Sequence, residues 1–482
     1  MNPGSLTVDS LLRAQSRRGD QPALRDARAV VTYGGLEPLT RRWATTLLDR
    51  GLAPGDRVGV SLANGVDAAL AFLAVIRAGL VWVGVPRALA AAERQSLLDH
   101  VGVATVVDDT SAFDEGGADR GAGLPPAEAG RLAVISSTSG SSGRPKGVMH
   151  SQYGVVLAAV AAARRGEGRA VTGMYLPMTS VNMQILGPLT ALAAGGCCLM
   201  IGHRSSDRVA EDVRRYAVNA LPLALPTVVD WVADERITAT TLRSLTAPVV
   251  GGSAVGDEVL DAYRTRFGTR LTRGYGLTEG PTSVCREPLG QPRRRGTSGV
   301  AVDHLAVEVL GDDGSPVAPG VAGEITVTSR SAGPWAGAYR TMLGYWGEPE
   351  LTAATLAEGR LHTGDLGSLD GDGFLTVQAR RSELIVRGGS NVSPAEVEVA
   401  IRSLDGVDDV VVVGMDDDRL GQVPAAVVVG SVQPGEVLAH CAVLLARYKV
   451  PARCVIAQRI PRGANGKPLR DEVLALLAVS GG

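Results

Sequence analysis

Helical and strand-like patterns alternate along the first 379 residues, and this alternation limits the possible folds more than any other feature. Residues 66–85, VDAALAFLAVIRAGLVWVGV, have the pattern of a helix followed by a strand. Residues 189–194 have helical spacing before the strand-like CCLMI, and residues 246–255 have the pattern of a strand followed by a glycine-rich turn. Such alternation is typical of parallel sheets with helices on their faces, so we expect an α/β fold.

The pattern changes twice further along the chain. Within residues 302–328, strand-like segments separated by DDGSP and GVAG predict antiparallel hairpins. After residue 383, helices and strands predict a small α+β unit. Its first helix should begin at SPAEVEVAIRSL, with Ser393 as N-cap, Pro394 at the first helical position and Glu396 completing a capping box.

These changes predict two domains. We expect an N-terminal domain over residues 1–379 and a C-terminal domain over residues 380–482. The connection at residues 379–383 is short and polar, which is typical of a hinge rather than of a long linker.

Composition excludes several classes of protein. A net charge of -2 gives no basic surface for nucleic acid. The five cysteines have no CxxC spacing and predict no disulfide framework, which fits a reducing cytoplasm. The N-terminus has no apolar core of signal-peptide length. The apolar stretch at 185–202 contains Pro and Gly, so we expect a buried helix, turn and strand rather than a membrane span.

The stretch SSTSGSSGRPKG, residues 136–147, follows the strand-like RLAVI at 131–135. Its Ser, Thr, Gly and Pro residues disfavour a helix, so we expect a loop. A loop after a strand, rich in N–H and O–H donors and ending in a lysine, suits a phosphate group. The spacing differs from the Walker pattern, and a solvated Ser/Gly linker is the alternative.

Lysine is rare in this chain. The lysines are Lys146, Lys449 and Lys467, although Lys and Arg together number 48. A compact ammonium has properties that a planar guanidinium lacks. Lys146 and Lys467 both stand in Gly/Pro-rich segments, which favours a functional role over chance.

Four further stretches join the first one in a fixed order. They are RGYGLTEG (273–280), LHTGDLGSLDGDGF (361–374), ARRSELIVRGGSNVSPAEVE (379–398) and PRGANGKPLRDE (461–472). Each residue alone has an ordinary structural explanation, such as a turn, a core aromatic or a surface ion pair. All five stretches in this order are far more specific.

With these stretches, the whole chain resembles the AMP-forming acyl-CoA synthetases, whose superfamily includes peptide-synthetase adenylation domains and beetle luciferase. The resemblance implies a large N-terminal domain of two α/β sheet subdomains plus a small β-barrel, and a small mobile α+β C-terminal domain. It implies ATP, Mg²⁺ and coenzyme A. A carboxylate would attack the α-phosphate to give an acyl-adenylate, and a thiol would then displace AMP.

The resemblance also implies roles for individual residues. Glu279 would bind magnesium, with Thr278 beside it, and Lys467 would bridge the substrate carboxylate and the α-phosphate. The loop around the β- and γ-phosphates would comprise Thr138, Ser139, Gly140, Ser141, Ser142, Gly143 and Lys146. The adenine and ribose contacts would be Gly252, Ser253, Ala254, Tyr275, Gly276, Asp365 and Arg380. The lid would pivot at Ser382, and Gly388 and Gly389 would contact coenzyme A.

The stretch YLPMTSVNMQ (175–184) departs from the family pattern. Ser180 stands where many acyl- and aryl-CoA ligases carry an aromatic or histidine gate. No Asp, Arg or Lys occurs between Tyr175 and Gly202, which disfavours amino acids and malonate-like diacids. We expect a roomy pocket for a bulky apolar monocarboxylic acid. Its candidate residues are Met178, Ser180, Asn182, Met183 and Gly251, with Gln184 as a further polar candidate; core packing is the alternative.

Other functions remain open at this stage. The acyl group could pass to an acyl carrier protein's phosphopantetheine instead of coenzyme A, because both acceptors share the pantetheine arm. A serine hydrolase is disfavoured because GGSAVG (251–256) is one residue too long for G-x-S-x-G. A non-catalytic nucleotide sensor of this fold would be expected to lose Lys467 or Glu279, and both are present.

Overall fold

The computed structural model describes residues 6–114, 123–138, 146–166, 170–202, 205–251, 255–380, 383–387, 390–417, 419–463 and 468–479. The chain divides into two compact units. The first contains residues 1–308 and 326–363, and the second contains residues 309–325 and 364–482. This division differs from the predicted boundary at 379–380, which stays a prediction.

The helices of the first unit alternate with its strands. They are α1 (Val8–Ala14), α2 (Tyr33–Asp49), α3 (Val66–Arg77), α4 (Ala91–Val101), α5 (Ser111–Asp114), α6 (Gln152–Arg164), α7 (Val181–Gln184), α8 (Thr190–Ala194), α9 (Ser206–Arg215), α10 (Leu225–Ala233), α11 (Asp257–Phe267) and α12 (Pro349–Thr355). Short 3₁₀ segments cover Ser16–Arg18 and Ala357–Gly359, and a π-helical turn covers Ile185–Leu189.

The first strands in the chain belong to two large sheets of the first unit. They are β1 (Pro22–Arg25), β2 (Val30–Thr32), β3 (Arg57–Val60), β4 (Val81–Gly84), β5 (Thr105–Val107), β6 (Leu132–Thr138), β7 (Lys146–Ser151), β8 (Val171–Met174), β9 (Cys197–Met200), β10 (Ala220–Leu223), β11 (Ala247–Val250), β12 (Thr272–Leu277), β13 (Thr282–Arg286) and β14 (Val300–Ala301).

The remaining elements follow along the chain. The strands are β15 (Leu305–Leu310), β16 (Gly323–Ser329), β17 (Gly344–Tyr345), β18 (Leu361–Leu369), β19 (Leu375–Arg380), β20 (Ile385–Arg387), β21 (Ser390–Val392), β22 (Val407–Asp417), β23 (Gly421–Gly430) and β24 (Arg453–Ile456). The helices are α13 (Pro394–Arg402), α14 (Pro434–Leu444) and α15 (Arg470–Val479).

The strands form mainly parallel sheets in the first unit, as the alternation predicts. One sheet has the order β14-β13-β12-β11-β10-β8-β9-β1-β2, and another has the order β17-β7-β6-β4-β3-β5. The pairs β3·β4, β4·β6, β8·β9, β10·β11 and β11·β12 are all parallel. The expected α/β fold, with a large N-terminal domain of sheets and a smaller C-terminal domain, is confirmed.

Two sheets contain the later strands. Strands β15, β16, β18 and β19 are neighbours in that order, and β18 pairs antiparallel with β19. In the second unit, the order is β21-β20-β23-β22, and β24 pairs with β23. Helices α13 and α14 pack on this sheet around a core that includes Val397, Ile401, Val412, Val428 and Val437.

The start of helix α13 agrees with the sequence analysis in one respect and differs in another. Ser393 is the N-cap of α13 and Pro394 follows it, as predicted. The capping box is wrong, because the Ser393 side chain makes no cap hydrogen bond. Its hydroxyl instead donates to the carbonyl of Gln378 at 3.0 Å. Glu396 accepts a hydrogen bond from Lys449 Nζ, and this ion pair gives that lysine a structural role.

The cysteines and the apolar stretch at 185–202 can also be compared with the sequence analysis. All five cysteines are free. No helix in the described residues is both long and apolar enough to cross a bilayer. The stretch at 185–202 contains the π-helical turn, α8 and β9, which confirms the expected buried helix, turn and strand.

Candidate active site

The serine- and glycine-rich stretch is held at both ends by an antiparallel ladder. Strand β6 pairs with β7 so that Thr138 lies opposite Lys146 and Ser136 lies opposite Val148. The predicted loop at 136–147 is therefore too long, because its first three and last two residues belong to strands. Cross-strand pairing outweighed their weak strand propensity. Residues 139–143, which were predicted to surround the phosphates, lie outside the described residues.

Lys146 and Glu279 meet at one tyrosine that the sequence analysis did not single out. The Tyr345 hydroxyl donates a hydrogen bond to Glu279 Oε1 at 2.9 Å. The Lys146 ammonium lies over the Tyr345 ring, 5.3 Å from its centroid. Two residues 133 positions apart in sequence, predicted to handle phosphate and magnesium, therefore contact opposite parts of one side chain.

Backbone pairing holds this cluster in place. Strand β17 pairs antiparallel with β7, which sets Tyr345 opposite Val148. The Tyr345 amide donates to Thr352 Oγ1 at 2.9 Å, and the Met342 amide donates to the Glu279 carbonyl at 2.8 Å. The cluster thus sits at the edge of a sheet and is tied to it through main-chain bonds.

Thr278 and Glu279 follow directly after β12, which itself contains Tyr275 and Gly276. These two residues face Cys285 and Ser283 on β13, with a β-bulge between them. A bulge redirects side chains locally and is common next to active sites. Both residues are partly exposed, so Tyr275 is not the buried core aromatic of the alternative interpretation.

Gly251 lies at the carboxyl end of β11, next to the neighbouring parallel strand β12. A Cβ at this exposed glycine would lie 3.3 Å from the Gly274 carbonyl. Ligands of open α/β sheets bind at the carboxyl ends of strands. This position is compatible with the predicted acyl role, whereas Gly252, Ser253 and Ala254 of the predicted adenine site lie outside the described residues.

A buried histidine lies beneath the Thr278 turn. His150 on β7 is fully buried next to the Thr278 backbone, and neither ring nitrogen has a well-formed hydrogen bond within the described residues. Burial lowers the pKa of His150 to about 4, although the nearby Thr278 backbone opposes this shift. The ring is therefore neutral at physiological pH and puts no charge next to the Thr278 backbone.

Asp365 and Arg380 are brought together in the second unit. They are cross-strand partners on β18 and β19, and Arg380 Nε donates to Asp365 Oδ1 at 2.8 Å. Asp365 is 5% exposed, and the Arg380 side chain is 38% exposed. The predicted tight turn at Asp365 is wrong, because this residue lies inside β18; pairing with β19 overrides the turn tendency of the surrounding glycines.

The predicted acyl segment is fixed by residues from distant parts of the first unit. Asn64 Nδ2 donates to the carbonyls of Tyr175 and Leu176, at 3.1 and 2.7 Å, and Asn64 Oδ1 accepts from the Met178 amide at 3.0 Å. The Val181 amide donates to Ser136 Oγ at 3.4 Å. The conformation of this segment is therefore determined by long-range bonds.

The acyl candidates differ in exposure. Ser180, Asn182 and Met183 are partly exposed, whereas Met178 is 3% exposed and packs in the main core. Gln184 is fully buried, and its amide donates to the Met178 carbonyl at 2.8 Å, which gives it a structural role.

The helix after this segment is irregular at Pro188. Pro188 lacks an N–H for the Gln184 carbonyl, and the hydrogen-bond ladder after α7 shifts to π-helical spacing.

The remaining site predictions fall outside the described residues. They are Lys467, Ser382, Gly388 and Gly389.

Glu279 suits magnesium as a ligand. Mg²⁺ prefers hard oxygen ligands, and it is usually held by one or two carboxylates together with phosphates and water. Glu279 is partly exposed, and a carboxylate that accepts one hydrogen bond from Tyr345 retains acceptor capacity. Among the described residues, no cluster of three His, Cys, Asp or Glu offers an all-protein cage.

Comparison with known proteins tests the resemblance directly. A family described as AMP-binding enzyme matches residues 11–346, and its C-terminal domain matches residues 396–467. The chain belongs to the AMP-binding enzyme family. The resemblance to AMP-forming acyl-CoA synthetases, drawn from five ordered stretches, is therefore confirmed.

Three relatives illustrate the range of the family. Feruloyl-CoA synthase from an Amycolatopsis species is 30% identical over 478 residues, covering 94% of this chain and 95% of that protein. Indoleacetate–CoA ligase from Aromatoleum aromaticum is 32% identical over 352 residues, covering 72% and 67%. The structure of o-succinylbenzoate coenzyme A synthetase from Bacillus subtilis, in complex with AMP, has a TM-score of 0.84 at 26% identity, covering 96% and 97%.

The sequence analysis missed Asn64, His150 and Tyr345, and it included Ser136 only as part of the Ser/Gly-rich stretch. Each lies far along the chain from the residues that it contacts, so no local pattern marks these contacts. A weak signal existed for Tyr345, since GYWGEPE combines a rare aromatic with a helix start at Pro349.

Proposed function

We propose that this protein is an ATP-dependent carboxylic acid–CoA ligase that activates a bulky, mostly apolar monocarboxylic acid. The observation that carries the proposal is the meeting of Lys146 and Glu279 at Tyr345. Adenylation brings a carboxylate to a triphosphate, and both are anions. A lysine and a metal-binding carboxylate at one place suit the handling of such a substrate.

The chain's residues would divide the first half-reaction among them. Lys146 and the loop before it would hold the β- and γ-phosphates, and Glu279 would orient the metal, whose role when bound is to neutralise phosphate charge. Asp365, paired with Arg380, would accept hydrogen bonds from the ribose hydroxyls. Lys467 would stabilise charge at the α-phosphate as the carboxylate attacks and pyrophosphate leaves.

The second half-reaction would use another arrangement of the lid. We propose that the C-terminal domain turns about Ser382, which carries Lys467 away and brings Gly388 and Gly389 to the pantetheine arm. The thiol then attacks the acyl carbonyl, the bond to AMP breaks, and the acyl group leaves as a thioester.

Several features support a bulky acid. The segment from Tyr175 to Gly202 has no charged residue to pair with a second carboxylate or an ammonium. Ser180 and Met183 are small or flexible and partly exposed. Feruloyl-CoA synthase and indoleacetate–CoA ligase, which are 30% and 32% identical to this chain over the aligned residues, are named for ring-containing acids.

The test is incubation with ATP, coenzyme A and a mixture of acids, followed by mass spectrometry of thioesters. Steady-state assays would then compare acetate, octanoate, benzoate and a polycyclic acid. We expect the larger acids to have the higher kcat/KM, and Ser180→Trp to impair the larger acid more than the smaller one. A kcat/KM for acetate above that of every larger acid would refute the roomy pocket.

The acceptor is tested in the same way. A parallel reaction supplies a phosphopantetheinylated carrier protein in place of coenzyme A. Acyl-adenylate and pyrophosphate formation without any CoA thioester, together with acylation of the carrier, would replace the ligase proposal by the carrier-loading alternative.

A further inference from the structure

Tyr345 contacts both charged groups of the proposed phosphate site, yet it is not itself charged. The residue is 6% exposed, and its side chain packs with Val148 and Met342. A phenylalanine could make these apolar contacts equally well. The hydroxyl is therefore the part of the side chain that packing does not explain, and it donates to Glu279 Oε1.

We infer that Tyr345 is a positioning residue that sets the orientation of the Glu279 carboxylate for Mg²⁺ and ties it to Lys146. This inference rests on the proposed function and adds to it a residue that would touch neither substrate nor metal. The hydroxyl fixes one carboxylate oxygen, and the ring face attracts the ammonium.

The physical reason is the flexibility of glutamate. A glutamate side chain has several rotatable bonds, and holding it in one rotamer on metal binding costs entropy. A hydrogen bond already made to Oε1 restricts the carboxylate before the metal arrives. Groups that hydrogen-bond to metal ligands in this way typically change metal affinity or activity by 10–100-fold when they are removed.

Opposite charges on the two neighbours give the tyrosine a second effect. Lys146 and Glu279 approach the ring face and the hydroxyl respectively, so the aromatic body separates a cation from a carboxylate. A direct ion pair between them would compete with phosphate for the lysine and with Mg²⁺ for the glutamate. The tyrosine keeps both groups in place while leaving each able to bind its own ligand.

The decisive variant is Tyr345→Phe, which removes the hydroxyl and keeps the ring. Isothermal calorimetry would measure ATP binding at a series of Mg²⁺ concentrations without any acid. Pyrophosphate release with the best acid would be titrated with Mg²⁺ in parallel. We expect the half-saturating Mg²⁺ concentration to rise about tenfold, with ATP binding and the rate restored at saturating Mg²⁺.

The chain provides a matched control in Tyr339→Phe. Tyr339 is also buried, and its hydroxyl lies beside Gly280, but it has no hydrogen-bond partner within the described residues. This change deletes the same atom one residue from Glu279 without deleting a described bond. We expect its Mg²⁺ dependence to match that of the unmodified protein.

A double-mutant cycle tests whether Tyr345 acts through Glu279. Adding Tyr345→Phe to Glu279→Ala should raise the half-saturating Mg²⁺ concentration by less than about twofold, because coupled residues are not additive. A full additional tenfold shift would overturn the inference.

The remaining outcomes are also decisive. The positioning role would be overturned if the Mg²⁺ dependence of Tyr345→Phe were unchanged, or if Tyr339→Phe shifted it equally. It would also be overturned if saturating Mg²⁺ did not restore ATP binding and pyrophosphate release in Tyr345→Phe, or if that variant did not fold. A protein that binds ATP with Mg²⁺ but releases no pyrophosphate with any acid would refute the proposed function instead. In that case, the calorimetric Mg²⁺ dependence of ATP binding would still test the positioning role of Tyr345.

Discussion

Gly84→Ala tests the proposed acyl pocket by displacing one of its segments, because Gly84 is not itself a predicted pocket residue. Gly84 is the last residue of β4, and a Cβ at this position would lie 2.3 Å from the Thr179 carbonyl oxygen and 2.6 Å from Thr179 Cα. These are backbone atoms, so no side-chain rotation can relieve the clash. Ordinary contact begins near 3.4 Å, and the two segments must therefore separate by about 1 Å.

The size of the effect follows from this displacement. Overpacking in a close-packed region typically costs about 1–3 kcal/mol of unfolding free energy. Thr179 lies between Met178 and Ser180, so the displaced segment is the one predicted to contact the acid. A misplacement of about 1 Å can lower a rate by about 10²-fold. We expect kcat/KM for the acid to fall by about that factor while KM for ATP changes little.

Pyrophosphate release with the best acid from the substrate panel measures both parameters, and thermal unfolding checks that the variant folds. Gly130→Ala is the matched control. Gly130 has no heavy atom within 4 Å of an added Cβ and is not at positive φ, so neither stability nor kinetics should change appreciably. A folded Gly84→Ala protein with unchanged kcat/KM for the acid would refute the assignment of the 175–184 segment.

Three further predictions concern other residues. Lys467→Ala should slow acyl-adenylate formation by about 10²–10³-fold but affect thioester formation from supplied acyl-adenylate far less; equal losses in both half-reactions would contradict its assignment. Arg380→Ala, which removes the partner of the buried Asp365 carboxylate, should raise KM for ATP measurably more than KM for the acid; an unchanged KM for ATP would argue for a purely structural pair. Burial lowers the pKa of His150 from 6.5 to about 4, so the ring is neutral in the folded protein. As the pH falls, the histidine therefore becomes protonated in the unfolded chain at a higher pH than in the folded protein. Stability from this group is present above pH 6.5 and is lost as pH falls towards 4, by at most about 1.4 kcal/mol per pH unit. Urea unfolding of His150→Gln should therefore show a shallower loss over that pH range, and an identical slope would contradict the shift.

The sequence predicted the elements whose signals are local. The helix and strand within 66–85 occur as α3 and β4, and the helix and strand around 189–200 occur as α8 and β9. These segments combine long apolar runs with glycines at the element ends, and both signals can be seen within one short stretch of sequence.

Elements that depend on pairing were predicted less well. Ser136 to Thr138 and Asp365 have composition typical of loops and turns, yet each belongs to a strand because a partner strand supplies the hydrogen bonds. Ser393 illustrates a third case, since a distant carbonyl at Gln378 competes with the helix for its hydroxyl. In each case tertiary context outweighs local propensity.

The geometry of the candidate site depends on the same kind of long-range pairing. Lys146 begins β7 and Tyr345 ends β17, so the antiparallel pairing of these two strands determines that the lysine can reach the ring. The Thr138–Lys146 pair closes the Ser/Gly-rich segment at its base. In the proposed phosphate site, part of the entropy of ordering that segment would thereby be lost on folding rather than on binding. If the segment binds ATP as proposed, this pairing would leave less of it to order on binding, because a Ser/Gly run without the ladder would have to order both of its ends when the nucleotide binds.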